Sequence, residues 1–136
     1  MERTLCIIKP DGVRRRLVGE VLGRIERAGF EIVNLKMLKL QREEAELLYD
    51  VHQGEPFFAD LVDFMTSGPL VVLLLEKDNG ISDSRDLVGE TDPSLAKKGT
   101  IRGDLGGTKQ KNLVHASDSP LRAEKEIAIF FPEFGR

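Results

Sequence analysis

The chain has no tryptophan, one tyrosine, one cysteine and two histidines among 136 residues. The lone Cys6 cannot close an internal disulfide, and in its apolar stretch it reads as a small buried hydrophobe. One cysteine and two histidines also fall short of the ligand set of a structural zinc site. Long hydrophobic runs are missing too. The longest strictly apolar stretch is residues 70–75, against the ~20 residues a spanning helix needs. No apolar segment follows Met1, where Lys9 and Asp11 interrupt, so no secretory leader is expected. There is no basic excess either: 20 Lys and Arg stand against 23 Asp and Glu, a net charge of −3. That argues against nucleic acid as a partner while leaving room for a local pocket for a small anion. The expectation is a cytoplasmic protein with no membrane segment.

What remains is an ordinary globular composition, 40% hydrophobic and 32% charged, long enough for one core over residues 1–136. Residues 3–9 (R-T-L-C-I-I-K) read as a strand ended by Pro10-Asp11-Gly12. Residues 18–28 read as a helix, with Val18, Val21, Leu22, Ile25 and Ala28 on one face and Gly29 as its terminator. Residues 30–40 alternate with apolar groups on both parities, a long strand of mixed burial. Residues 42–52 and 57–65 read as helices separated by Gly54-Glu55-Pro56, and residues 70–75 as a buried central strand. Residues 91–112, glycine-rich and poor in apolar groups, predict a long irregular segment of functional use. Ser119-Pro120 opens a last helix as N-cap and N1, and residues 127–131 read as the closing strand. Four strands interleaved with helices predict an α+β fold: a ferredoxin-like split βαβ sandwich, a four-stranded antiparallel sheet covered by helices.

The familiar phosphate loops and nucleophile motifs are absent: no G-x-x-x-x-G-K-[ST], no G-x-G-x-x-G after a strand, no G-x-S-x-G and no H-E-x-x-H. Candidate chemistry lies elsewhere. His115 sits between Asn112 and the hydroxyls of Ser117 and Ser119, with Arg102, Lys109 and Lys111 upstream. That company can orient an imidazole and bind an anion beside it. Arg102, between Gly99 and Gly103, suits bidentate oxyanion binding. Lys9, at a strand end before a rigid turn, is placed to point into a site. By position alone His52 reads as an exposed or capping histidine, Arg14-Arg15-Arg16 as a solvated helix start, and Phe57-Phe58 as core.

Six blocks turn these separate signals into a pattern: T-L-C-I-I-K-P-D-G-V (residues 4–13), P-F-F (56–58), S-G-P (67–69), G-E-T-D-P (89–93), G-T-I-R-G-D (99–104) and N-L-V-H-A-S-D-S (112–119). In order and spacing the chain resembles the nucleoside diphosphate kinase family from end to end, as one domain over residues 1–136. The resemblance implies transfer of the γ-phosphate of a nucleoside triphosphate, mainly ATP, to a nucleoside diphosphate, by a ping-pong route through a phosphohistidine. The histidine matching the carrier is His115. Glu126 matches the carboxylate on its other ring nitrogen, and Ser117 the hydroxyl that binds this carboxylate. Lys9, Arg85 and Arg102 match cationic phosphate contacts, with Arg102 expected on the migrating phosphoryl group. Thr91 matches a hydroxyl donor to phosphate, Asn112 a ribose contact shared with the lysine, Tyr49 a ring beside the histidine, and Phe57 the aromatic on which the base stacks. Stacking does not read base edges, which implies broad nucleotide specificity. Mg²⁺ is implied to arrive bridging the nucleotide's phosphates, with no metal ligands from the protein.

The sequence departs from the family pattern at Ala116, where glycine usually follows the histidine, and at Arg16, Lys77, Lys98 and Lys109. Ala116 is compatible only with a negative φ. The family forms homo-oligomers, hexamers or tetramers; the intact G-T-I-R-G-D block tilts the expectation towards a hexamer. The competing reading is a ligand-binding module of the same fold, which has no need of the Asn112, His115, Ser117 and Glu126 set.

Overall fold

The computed structural model describes residues 1–134. β1 (Glu2–Ile8) ends where Lys9 caps a single turn, α1 (Pro10–Arg14), that starts on proline. α2 (Val18–Arg27) buries Val21 and Ile25 and stops at Gly29, whose φ of 93° only glycine adopts freely. β2 (Glu31–Leu38) and β3 (Leu70–Lys77) bracket α3 (Arg42–Leu48) and α4 (Phe58–Met65). A reciprocal capping box of Gln41 and Glu44 starts α3. α5 (Gly80–Val88), α6 (Ile101–Leu105), β4 (Val114–Ala116) and α7 (Pro120–Phe130) complete the order.

The sheet runs β2-β3-β1-β4 with every neighbouring pair antiparallel, the split βαβ plan expected from the sequence. Pairing places Leu5 opposite Leu74 and Ile7 opposite Val72. These side chains share one face, which packs on Ala45 and Leu48 of α3, Val62 and Met65 of α4, and Ile127 and Phe130 of α7. Cys6, Ile8, Val71 and Leu73 point the other way, onto Val21 and Ile25 of α2 and Val88 of α5. The sheet therefore lies between two helical layers, and β3, buried on both faces, reads as a continuous apolar run for that reason.

Three sequence expectations are corrected. Residues 127–131 are not a strand. Ser119 accepts the Arg122 amide at 3.1 Å, and the helix it caps carries Ala123, Ile127 and Phe130 into the core at helical spacing. A short apolar run is ambiguous by periodicity alone, and the cap decides it. The fourth strand is instead Val114–Ala116, three residues long and too short to leave a periodic signal. Residues 42–52 are not one helix: α3 ends at Leu48, Tyr49 leaves helical geometry, and Asp50–His52 forms a 3-10 turn. Residues 91–112 are not wholly irregular either, because Thr100 accepts the Gly103 amide at 3.0 Å and caps α6, so Arg102 is helical.

The mixed parity of residues 30–40 has a physical cause. The β2–β3 register shifts between Ile32 and Asn34, so Val33 is an extra residue that inverts the phase of the strand. β2 is also an edge strand, leaving Leu35 and Met37 exposed.

Candidate active site

β4 places the histidine. His115 lies opposite Ile7, so its ring projects onto the sheet face covered by α3 and α7. The β4 approach is unusual: Leu113 has φ 77°, a left-handed conformation that a leucine rarely adopts. Its amide donates to the Asp11 carboxylate at 3.1 Å, and its carbonyl accepts the Lys9 amide at 2.8 Å. The K-P-D-G turn thus fixes the backbone on which Asn112 and His115 are carried. Ala116 is not among the positive-φ residues, so the methyl in place of a glycine is accommodated. Arg16, another departure from the family pattern, does sit at φ 61°.

His115 Nε2 lies 2.8 Å from Glu126 Oε1. Burial pushes the Glu126 carboxyl up, but His115, Ser117 and Arg122 outweigh it and hold the group below the ordinary carboxylate range. An ionised carboxylate only accepts, so Nε2 carries a proton, and in the neutral ring the lone pair lies on Nδ1. The Ser117 hydroxyl donates to the same Oε1 at 2.6 Å, and Glu126 is 2% exposed. The pair is therefore fixed on one edge and nucleophilic on the other.

Cationic groups converge beside it. Lys9 Nζ donates to Asn112 Oδ1 at 2.9 Å, and both side chains are buried. Burial, then the charge of Arg102, lowers the Lys9 ammonium to about 7, against the opposing pull of Asp11. The Asn112 amide nitrogen donates to the carbonyls of Thr91 at 2.8 Å and Lys109 at 2.9 Å. Thr91 itself is exposed. Arg85, on α5, is exposed and donates to the Ala116 carbonyl at 3.3 Å. Arg102 is buried, and its fork donates to the carbonyls of Asn112 at 3.3 Å, Gly89 at 2.9 Å and Val114 at 2.6 Å. Burial, then Arg85, lowers its guanidinium to about 10. The glycine after it is required by close approach: a Cβ at Gly103 would lie 2.0 Å from the Lys97 carbonyl oxygen.

Rings form the other wall. Tyr49 meets His115 edge-on, centroids 5.9 Å apart. The Tyr49 hydroxyl is buried with no protein partner among the described residues. His52 stacks at 6.3 Å on Tyr49 and lies 5.2 Å from Phe57. Phe57 precedes α4 and is 44% exposed, while Phe58 packs against the core. The reading of Phe57-Phe58 as core by position holds for the second residue only. His52, read from position as exposed or capping, is half-buried within the ring series. The Arg14–Arg16 run stays apart from the cluster: Arg14 lies over Phe64, and Arg15 donates to the Leu105 carbonyl.

Sequence reasoning missed Asp11 and Leu113 as positioning groups, and Arg122, which stands 3.5 Å from Glu126 Oε2. Only Arg122 leaves a sequence signal, its i,i+4 spacing to Glu126 on α7. Among the described residues no group of three His, Cys, Asp or Glu side chains converges to hold a metal ion, and no helix is long and apolar enough to cross a membrane.

Comparison with known proteins bears on this cluster. A family model described as Nucleoside diphosphate kinase matches residues 2–135. The nucleoside diphosphate kinase of Salinibacter ruber is 55% identical over 132 residues, 97% of this chain and 93% of that protein. Among solved structures, the apo enzyme of that name from Encephalitozoon cuniculi superimposes with a TM-score of 0.94 at 39% identity, over 96% of this chain and 89% of the other. The halophilic enzyme from Halobacterium salinarum, solved in complex with CDP, gives 0.92 at 42% identity, over 96% and 87%.

Proposed function

The chain belongs to the nucleoside diphosphate kinase family of phosphotransferases, and we propose that His115 Nδ1 is the atom that carries the phosphoryl group between nucleotides. The observation that carries this reading is the Nε2–Glu126 hydrogen bond, which leaves a lone pair on the opposite nitrogen. In the first half-reaction Nδ1 attacks the γ-phosphorus of a nucleoside triphosphate. The N–P bond forms as the bond to the β,γ-bridging oxygen breaks, and the nucleoside diphosphate leaves with the bond's electron pair. Glu126 keeps the Nε2 proton in place while positive charge builds on the ring. In the second half-reaction a terminal oxygen of another nucleoside diphosphate displaces the histidine.

Phosphoryl transfer needs position and cations more than covalent help. Lys9, Arg85 and the two Arg102 N–H groups left over from its three carbonyl contacts supply the charge. The Tyr49 hydroxyl and Thr91 would add neutral donors, and Asn112, whose amide N–H groups are already used, would accept from a ribose hydroxyl through Oδ1. Phe57 offers an exposed face to the base, which suits ATP and other nucleotides alike. The site's donors are cations and neutral groups, which fits a divalent cation held by the nucleotide's own phosphates; we take this to be Mg²⁺, which would offset phosphate charge. The same reading takes residues 1–136 as one cytoplasmic catalytic domain that assembles with copies of itself.

The test is exposure to ATP and Mg²⁺ at neutral pH, followed by mass spectrometry. One acid-labile, base-stable phosphate on His115 is expected. Label on Ser117 or Ser119 instead would falsify the reading.

A further inference from the structure

Glu126 is addressed from two sides. Oε1 takes His115 Nε2 and the Ser117 hydroxyl, while Oε2 faces Arg122 Nη2 at 3.5 Å. The same guanidinium reaches across to the other helix pair. Its Nη1 donates to Asp50 Oδ1 at 3.0 Å, and its Nη2 donates to the Leu48 carbonyl at 2.7 Å. That carbonyl belongs to the last residue of α3, where helix geometry leaves an acceptor unpaired. Lys125, one turn further along α7, pairs with the second oxygen of Asp50. The segment gripped this way is the one that departs from the helix to aim Tyr49 at His115 and His52 at Phe57. The Arg122 side chain is 17% exposed and Glu126 3%, so their contact is shielded from solvent, whereas Asp50 keeps part of its carboxylate in water.

We propose that Arg122 is a positioning residue that ties the Glu126 carboxylate to residues 48–52, so that one guanidinium holds both the proton acceptor of His115 and the aromatic wall that receives the base. The proposal rests on His115 being the phosphoryl carrier. A planar fork suits the task, since Nη1 meets the Asp50 carboxylate while Nη2 meets the Leu48 carbonyl and faces Glu126. Its charge also favours the ionised form of Glu126. The charged and titratable groups facing that carboxyl are His115 from β4, Tyr49 from the end of α3 and Arg122 from its own helix, with Asp50 and Lys125 behind Arg122.

Rapid-quench measurement of phosphohistidine formation from ATP and Mg²⁺, with ADP affinity measured alongside, tests the assignment in the full chain. Arg122→Ala should slow phosphorylation and weaken ADP binding, each by about tenfold, the low end for removing a partner behind a functional side chain. The acid limb of its kcat/KM profile should move to higher pH, because a carboxyl without its cation binds a proton more readily. Arg122→Lys should keep the acid limb near that of the parent, since the charge remains, yet still bind ADP weakly, because an ammonium cannot span both sides. Asp50→Asn should weaken ADP binding and leave the acid limb unmoved. If Arg122→Ala folds but matches the parent in rate, affinity and pH profile, whatever its melting temperature, the proposal is overturned. If it does not fold, parent-like ADP affinity in both Arg122→Lys and Asp50→Asn overturns it. Failure of the parent chain to label His115 would remove the carrier reading itself, and this proposal with it.

Discussion

Asp11 holds Leu113 in a left-handed conformation by accepting its amide at 3.1 Å, across 102 residues of sequence. A leucine at φ 77° costs on the order of 1–3 kcal/mol, and persists only where its surroundings fix it. Here the bond connects the turn after β1 to the start of β4, and so sets the distance from Lys9 to His115. Asp11→Ala leaves the Leu113 amide buried and unpaired, and should lower unfolding free energy by about 1–3 kcal/mol. Asp11→Asn retains an acceptor oxygen and should lose less. Urea titration of the two variants measures this, and equal losses would show that the acceptor is not what matters.

Phe57→Ala should weaken nucleotide binding by about 1–3 kcal/mol, with similar losses for purine and pyrimidine diphosphates. The ring is 44% exposed, so stability should barely change. A buried phenylalanine would instead cost about 3–5 kcal/mol of stability. Calorimetric binding and thermal melts on the same variant separate the two. A large drop in melting temperature with unchanged affinity would make Phe57 core.

The ring contacts give a second, sharper comparison of the histidines. His115→Ala should abolish the acid-labile label from ATP. His52→Ala should keep it, because His52 touches Tyr49 and Phe57 rather than Glu126. Loss of the label in His52→Ala, in a folded protein, would move the carrier role.

Lys9 makes nucleotide binding sensitive to proton supply. Burial and Arg102 bring its ammonium to about 7, so above that pH much of the free protein carries a neutral amine. A phosphate brought to Nζ favours the charged form and raises the pKa. Binding of ADP at pH 8 should therefore take up a fraction of a proton from solution. Titration calorimetry in buffers of different ionisation enthalpy reads that uptake as a slope, which should vanish in Lys9→Met. The sign follows for stability too. The unfolded chain, with an ordinary lysine, binds more protons than the folded one between about pH 7 and 10.5, so this group adds stability as pH rises through that window.

How far the sequence reached depends on what each element leaves as a local mark. β3 shows itself because burial on both faces demands six apolar residues in a row, and α7 starts where Ser119-Pro120 says it does. β4 is invisible because three residues carry no period, although it bears His115. The apolar run at residues 127–131 looks like a strand because the helix buries Ile127 and Phe130 on its own apolar face. The site's side chains were legible through the six sequence blocks, whereas the contacts that aim them were not. Leu113 has no residue-type signature for a left-handed φ, and the partners of Arg122 on residues 48 and 50 lie more than seventy positions away.

Arg102, proposed above to face the migrating phosphoryl group, also carries a structural load. Three of its donors already hold the carbonyls of Asn112, Gly89 and Val114, which flank His115 and the G-E-T-D-P block. Of the five N–H groups of a guanidinium, two stay available to phosphate oxygens. Arg102→Ala should then do two things at once. It leaves buried carbonyls without donors, which should cost about 3 kcal/mol of stability. It also removes a fixed cation from the place where charge is redistributed as the P–O bond breaks, which should lower kcat by ~10²-fold. Arg102→Lys keeps the charge but loses the fork, so it should recover little of either. Arg85, exposed and bound to a single carbonyl, offers the contrast: Arg85→Ala should raise KM more than it lowers kcat, with stability nearly unchanged. Steady-state kinetics with both nucleotides varied, read beside urea melts, distinguish the two arginines. If Arg102→Ala lost stability while kcat of its folded fraction stayed at the parent value, the guanidinium would serve only the backbone, and the cation at the phosphoryl group would have to be Lys9 or Arg85.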